Sequence, residues 1–218
     1  MRPAGIVFDL DGTLVDSRLD LAAGINATRE RLGLAPLPME AIAAMVGEGA
    51  RTLLRRALPD AIDGAAFDEA LSLFLDLYYD RCLDSTRAYP GIPELLAALS
   101  PHFPLAVLTN KPERHSRRIL DGLGLSSRFQ WLVGGDTLAM RKPEPGGLLH
   151  IAAQWDTLPS QLLLVGDSDI DVATARAAGS ALAVVAWGFG ALDRSGADAA
   201  NAWQLDSPAD LLARLHLT

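Results

Sequence analysis

A chain of 218 residues, half of them apolar, can bury a full core, either as one large domain or as a core carrying an insertion. Its formal net charge of -8 excludes a basic nucleic-acid surface and leaves any anion site dependent on local cations. A single cysteine, Cys82, excludes an intrachain disulfide and fits a reducing, cytoplasmic setting.

In chain order, the first element is an apolar strand over residues 4–8. No cationic flank with an apolar segment precedes it, so no secretory signal is expected. The strand runs into Asp9-Leu10-Asp11-Gly12-Thr13. Side chains alternate along an extended chain, so Asp9 and Asp11 are expected on the same side of the strand end. Two like charges there raise the energy of ionising each other, which a cation or a reaction must compensate. Gly12 permits a sharp turn, and the Thr13 hydroxyl opens onto the same mouth.

Residues 15–87 then read as helical throughout. Leu21, Ile25 and Leu32 mark one amphipathic helix; Leu53, Leu54, Ala57 and Leu58 mark a second; Phe67, Leu71, Phe74 and Tyr78 recur at helical spacing in a third. These stripes predict helix-helix packing. Pro90-Gly91 marks the exit.

Beyond Tyr89 strands alternate with helices. Strands are expected at residues 105–109, 131–133, 162–165 and 181–186, and helices near 93–99, 113–123, 145–155 and 169–178. Ser207-Pro208 reads as an N-cap with proline in the first turn of a last helix. Continuously apolar strands between helices predict an α/β fold, a Rossmann-like parallel sheet covered on both faces. The first strand must join that sheet. Residues 1–14 and 88–218 then form the core, and 15–87 an all-helical insertion after the first strand. The apolar stretch at 182–192 is interrupted by Gly188 and Gly190 and is too short to cross a bilayer, so no membrane association is expected. No heptad or exposed stripe marks an oligomer interface.

In open parallel sheets ligands sit beyond the carboxyl ends of the strands. Three polar clusters follow apolar strands: Asp9 with Asp11, Thr109-Asn110-Lys111, and Gly166-Asp167-Ser168-Asp169-Ile170-Asp171. A fourth, Arg141-Lys142-Pro143, precedes a predicted helix. The carboxylates Asp9, Asp167 and Asp171 are hard oxygen ligands of the kind that hold Mg2+. Lys142 and the Thr109 hydroxyl are what a phosphoryl group requires. Lys111 and Lys142 are the chain's two lysines, so each is informative. His102, His115, His150 and His216 share no ligand spacing, which argues against zinc, and His115 is expected at the surface.

Asp9-Leu10-Asp11-Gly12-Thr13, Thr109, Lys142 and the 166–171 segment resemble, in order and spacing, the four signature motifs of the haloacid dehalogenase superfamily. The helical insertion resembles that superfamily's small cap domain, so the likeness spans the chain. Leu14-Val15-Asp16-Ser17, Val46-Gly47-Glu48-Gly49-Ala50, Tyr89-Pro90-Gly91, Thr109-Asn110-Lys111-Pro112 and Lys142-Pro143-Glu144-Pro145 resemble most the phosphoglycolate phosphatase branch.

The resemblance implies a Mg2+-dependent phosphomonoesterase acting on a small phosphorylated metabolite, 2-phosphoglycolate foremost. Asp9 would be the nucleophile and Asp11 the general acid and base. Asp9, Asp167 and the backbone carbonyl of Asp11 would hold the metal. Thr109 and Lys142, with N–H groups near Leu10 and Asn110, would hold the phosphoryl oxygens. Asp171, Ser168 and Thr13 would support from one shell out. The insertion would close over the site, with Gly49 and Arg51, beside Asn110, receiving the substrate's second anion. Other readings are a sugar-phosphate phosphatase, a pyrophosphatase, and a β-phosphoglucomutase-like phosphotransferase. Intact Asp9, Asp11 and Lys142 argue against a non-catalytic partner protein. The absence of lysine from 15–87 argues against a Schiff-base phosphonate-cleaving member.

Overall fold

The computed structural model describes residues 2–189 and 202–217. Its main sheet contains β1 (Gly5–Phe8), β4 (Leu105–Leu108), β5 (Trp131–Val133), β6 (Leu162–Gly166), β7 (Ala181–Val185) and β8 (Trp203–Leu205). The order is β5-β4-β1-β6-β7-β8 and every pairing is parallel. Ile6 opposes Leu105 on one side and Leu163 on the other, which makes β1 a central strand. The apolar runs follow from that position, because both faces of the strand are covered.

The strand period of two divides the core. Ile6, Phe8, Leu105, Val107, Leu163 and Val165 pack with α5 (Ile92–Leu99), α6 (Glu113–Gly122) and α9 (Pro208–Arg214). Val7, Ala106, Leu108, Leu162 and Leu164 turn the other way, onto α7 (Gly146–Gln154) and α8 (Asp169–Ala178).

A short antiparallel ribbon, β2 (Val15–Asp16) with β3 (Arg87–Ala88), pairs Val15 with Ala88. Between its strands lie α1 (Arg18–Arg31), α2 (Met39–Ala43), α3 (Ala50–Ala57) and α4 (Gly64–Arg81). Sequence patterning anticipates α1, α3 and α4. It does not anticipate α2, the ribbon or β8, which are too short to carry a period. The apolar stripe of α4 buries Phe67, Phe74 and Tyr78, each worth roughly 2–3 kcal/mol of transfer free energy. The core cluster runs without a break from the sheet into these helices. Buried Asp20 on α1 ties the helices to the ribbon. It accepts bonds from Ser85 N (2.9 Å), Thr86 N (2.8 Å) and Thr86 Oγ1 (2.7 Å).

No helix among the described residues is long and apolar enough to cross a membrane. Residues 190–192 of the 182–192 stretch, with the expected interruption at Gly190, lie outside the described residues.

Candidate active site

The carboxyl ends of β1, β4 and β6 bring the expected residues to one edge. Asp9 leaves β1 buried. Its Oδ1 takes the Leu10 N–H at 2.7 Å and the Lys142 ammonium at 2.9 Å. The Leu10 N–H, expected on a phosphoryl oxygen, thus positions the Asp9 carboxylate instead. Lys142 Nζ also donates to Asp171 Oδ1 at 2.6 Å, which suspends one buried cation between two buried carboxylates. Ser168 caps α8 by accepting from Asp171 N–H, and its hydroxyl donates to Asp171 Oδ2 at 2.6 Å. Ser168 therefore both starts the helix and orients the carboxylate that orients Lys142.

Asp167, at the end of β6, accepts from Thr13 Oγ1 at 3.1 Å and from the Phe189 N–H at 2.9 Å. Trp187 Nε1–H holds the Thr13 carbonyl at 3.1 Å, a contact that no sequence signal announced. Gly12, at φ +86°, lies so close that a Cβ there would stand 2.2 Å from Asp167 Oδ2. Only glycine allows this approach.

Oxygens of Asp9, Asp167 and Asp171 lie within 4.8 Å of one another. Burial pushes the Asp9 carboxyl up to about 7, with Asp171 and Asp167 reinforcing the rise and Lys142 opposing it. Burial likewise lifts Asp167 to about 6. For Lys142, burial favours the neutral form, but Asp171 and Asp9 outweigh it and the net direction is up. Three acids around one ammonium leave negative charge in excess, and hard oxygens with that excess suit a divalent cation such as Mg2+. Asp171 gives one oxygen to the Lys142 ammonium and the other to Ser168, while Asp167 accepts from two neutral donors, Thr13 and the Phe189 N–H. The Asp11 side chain is not part of this cluster.

Asp11 points instead toward Ser17 Oγ (2.5 Å) and Lys111 Nζ, which reaches its two oxygens at 2.8 and 2.9 Å. Thr109 Oγ1 accepts from the Lys111 N–H at 3.2 Å. Asn110 Nδ2 donates to the Lys142 carbonyl at 2.9 Å and to the Gly47 carbonyl at 3.2 Å, bridging the sheet edge and the helical insertion. These groups line a cavity of about 40 Å3 with Leu21, Leu53, Phe74 and Tyr78. Gly49 and Ala50, at the start of α3, also line it.

Arg51 does not. Its guanidinium pairs with Asp68 at 2.8 Å, and the side chain is 55% exposed. The expectation that Arg51 meets a second anion finds no contact here, because its helix directs it to α4. His115 is also placed differently from expectation: it is buried, stacked on Tyr78 at 5.6 Å, and its Nε2–H donates to the Leu75 carbonyl at 2.9 Å. Burial lowers its pKa, which favours the neutral ring. In the sequence Lys111 stands out by its rarity and by its place in the polar segment after β4, with no role attached to it. Ser17 and Tyr78 carry no such signal, since a helix start and an aromatic stripe explain them equally well.

A family model for haloacid dehalogenase-like hydrolases matches residues 6–185. The chain is 43% identical over 200 residues to a phosphoglycolate phosphatase of Chromobacterium violaceum, covering 88% of this chain and 89% of that one. It is 39% identical to phosphoglycolate phosphatase 1 of Pseudomonas aeruginosa over 216 residues, 96% of this chain and 79% of the relative. A crystal structure from Haemophilus somnus, described as a predicted phosphoglycolate phosphatase, superposes with a TM-score of 0.89 at 30% identity, with 98% of each chain covered.

Proposed function

The chain belongs to the haloacid dehalogenase-like hydrolase family, and from that footing we propose that it is a Mg2+-dependent phosphatase hydrolysing 2-phosphoglycolate to glycolate and phosphate. The observation that carries the reading is the pair of separately held carboxylates. Asp9 is drawn to Lys142, while Asp11, two residues on, is drawn to Lys111 and Ser17. Two acids so close, kept in different environments, suit a nucleophile and an acid-base group.

Asp9 attacks phosphorus and forms an acyl phosphate, dividing one difficult hydrolysis into two easier steps. Asp11 protonates the departing alkoxide, then takes a proton from the water that cleaves the acyl phosphate. Lys142 and the Thr109 O–H hold phosphoryl oxygens where charge gathers, and Asp171 keeps Lys142 aimed. Asp9, Asp167 and the Asp11 carbonyl would hold Mg2+, which would offset the repulsion between carboxylate and phosphate.

Residues 15–87 act as a cap over a core of 1–14 and 88–218. This is supported by the mixed lining of the cavity, with α3 and α4 supplying apolar walls and the strand ends supplying charge. A cavity volume of about 40 Å3 favours a leaving group of a few atoms over a hexose.

Phosphate release from 2-phosphoglycolate, glycerol phosphate, a hexose phosphate and pyrophosphate, each with Mg2+, tests the reading. The highest kcat/KM is expected for 2-phosphoglycolate, with Asp9→Asn inactive on every ester. A hexose phosphate or pyrophosphate in first place overturns the substrate, and an active Asp9→Asn overturns the mechanism.

A further inference from the structure

We propose that Lys111 is the receptor for the leaving group's anionic end, the carboxylate of a small phosphorylated hydroxy acid. The inference rests on the phosphatase reading and adds the group that selects the substrate.

Lys111 is the one cationic residue lining the cavity among the described residues. Its side chain is 4% exposed, its ammonium touches both Asp11 oxygens, and the Tyr78 ring centroid lies 4.7 Å from Nζ. A purely structural role explains this poorly. A buried ion pair seldom stabilises a fold more than apolar packing does, because both charges must be desolvated. Here apolar packing surrounds the pair, with Leu21, Leu53, Phe74 and Leu75 lining the same space.

Position makes the assignment specific. Asp11 handles the proton of the bridging oxygen, so it must reach that oxygen directly. A cation in contact with Asp11 is therefore within a few ångströms of the leaving group's first carbon atoms. A carboxylate one carbon beyond the bridging oxygen falls within its reach. An ammonium carries three donors on a flexible stem, and it can bridge Asp11 and an incoming carboxylate together. The other lysine cannot serve, since Lys142 is held between Asp9 and Asp171 at the phosphoryl end. Arg51 cannot serve either, because it pairs with Asp68 away from the cavity lining. A carboxylated ester gives the Lys111 ammonium a second anion beside Asp11, so an ester lacking the carboxylate should be the poorer substrate.

The test compares 2-phosphoglycolate with 2-hydroxyethyl phosphate, its counterpart without the carboxylate, on Mg2+-loaded wild type, Lys111→Met and Lys111→Arg, with thermal melts as the folding control. Wild type should prefer the carboxylated ester in kcat/KM. Lys111→Met should lower that preference by about 30-fold or more, on the scale of a lost charged hydrogen bond. Lys111→Arg should restore part of it, and glycolate should inhibit Lys111→Met more weakly than wild type. Equal fractional loss on both esters would assign Lys111 to Asp11 alone and overturn the proposal. So would a preference that survives in Lys111→Met. Wild type without any preference overturns the receptor and the substrate together, while loss of all activity in Asp9→Asn still upholds the phosphatase chemistry. If Lys111→Met does not fold, Lys111→Gln enters the same comparison.

Discussion

The sheet edge and the cavity-facing helix α3 hold their charged groups in opposite ways. At the edge each buried charge is fixed by a group from another segment: Asp9 by Lys142, Lys142 by Asp171, Asp167 by Thr13 and the Phe189 N–H. In the insertion, Arg51, Arg55 and Arg56 turn outward to Asp68, Asp63 and Glu48, and apolar side chains face the cavity. The difference is a division of labour. On the proposed function, reacting groups would sit at the ends of strands whose hydrogen-bonded ladder leaves them little freedom, and selection by size would be left to helices whose contribution is shape.

The largest effect that can break this comparison lies at Asp9. Asp9→Asn should lower kcat by about 10^4-fold or more, because no other carboxylate is placed to attack. It should leave the melting temperature level or higher, since it removes a charge whose ionisation the fold opposes. A large loss of stability would mean that the edge is built for the fold first and for chemistry second.

Next comes the linkage between pH and metal. Asp9 and Asp167 have folded-state values raised to about 7 and about 6 from an ordinary 3.8. A raised carboxyl contributes stability that is complete below the unfolded value and is lost as pH rises through the folded one. Chelator-treated protein should therefore lose stability in these groups between about pH 4 and about pH 7. Mg2+ competes with those protons, so its gain in melting temperature should grow over the same window. Calorimetry at several pH values, with and without Mg2+, reads both slopes. A Mg2+ gain that is flat with pH would place the cation away from these two carboxylates.

The same division explains what was legible in the sequence. β1, β4 and β6 announce themselves by unbroken apolar runs, and the polar residues that follow them must fall at one edge once the sheet is parallel. Asp9, Thr109 and Asp167 could be gathered on that argument, whereas Lys142, in a loop before a predicted helix, was joined to them by the family resemblance. Lys111 could be flagged but not placed, because whether it turns to Asp11 or to water depends on the Tyr78 and Phe74 wall from a distant helix. His115 was assigned to the surface because a lone histidine on a polar helix carries no pattern. The stack on Tyr78 that buries it is a tertiary contact between α6 and α4. Arg51 lies two residues past Gly49, and the single helical step from cavity-lining Ala50 to Arg51 turns the side chain about 100°, enough to take it from cavity to solvent.

Gly49 and Arg51 give the finest comparison, two residues apart in the insertion and opposite in expected effect. Gly49 has φ +88° and ψ 170°, and a Cβ there would meet the Asn110 carbonyl oxygen at 2.9 Å. Gly49→Ala should therefore reduce stability by about 1–3 kcal/mol. It should also lower kcat/KM by about tenfold, since relief comes by moving the start of α3 off the sheet edge. Arg51→Met removes an exposed pair with Asp68, of the class worth about 0–1 kcal/mol, and a cation-π contact over Phe67 at 5.3 Å, and kcat/KM should stay within about twofold. Melting curves and steady-state kinetics on both variants measure the contrast. If Arg51→Met were the more damaging to kcat/KM with 2-phosphoglycolate, the guanidinium would have to leave Asp68 during turnover. The insertion would then supply charge as well as shape, and the division between the two regions would fail at its smallest step.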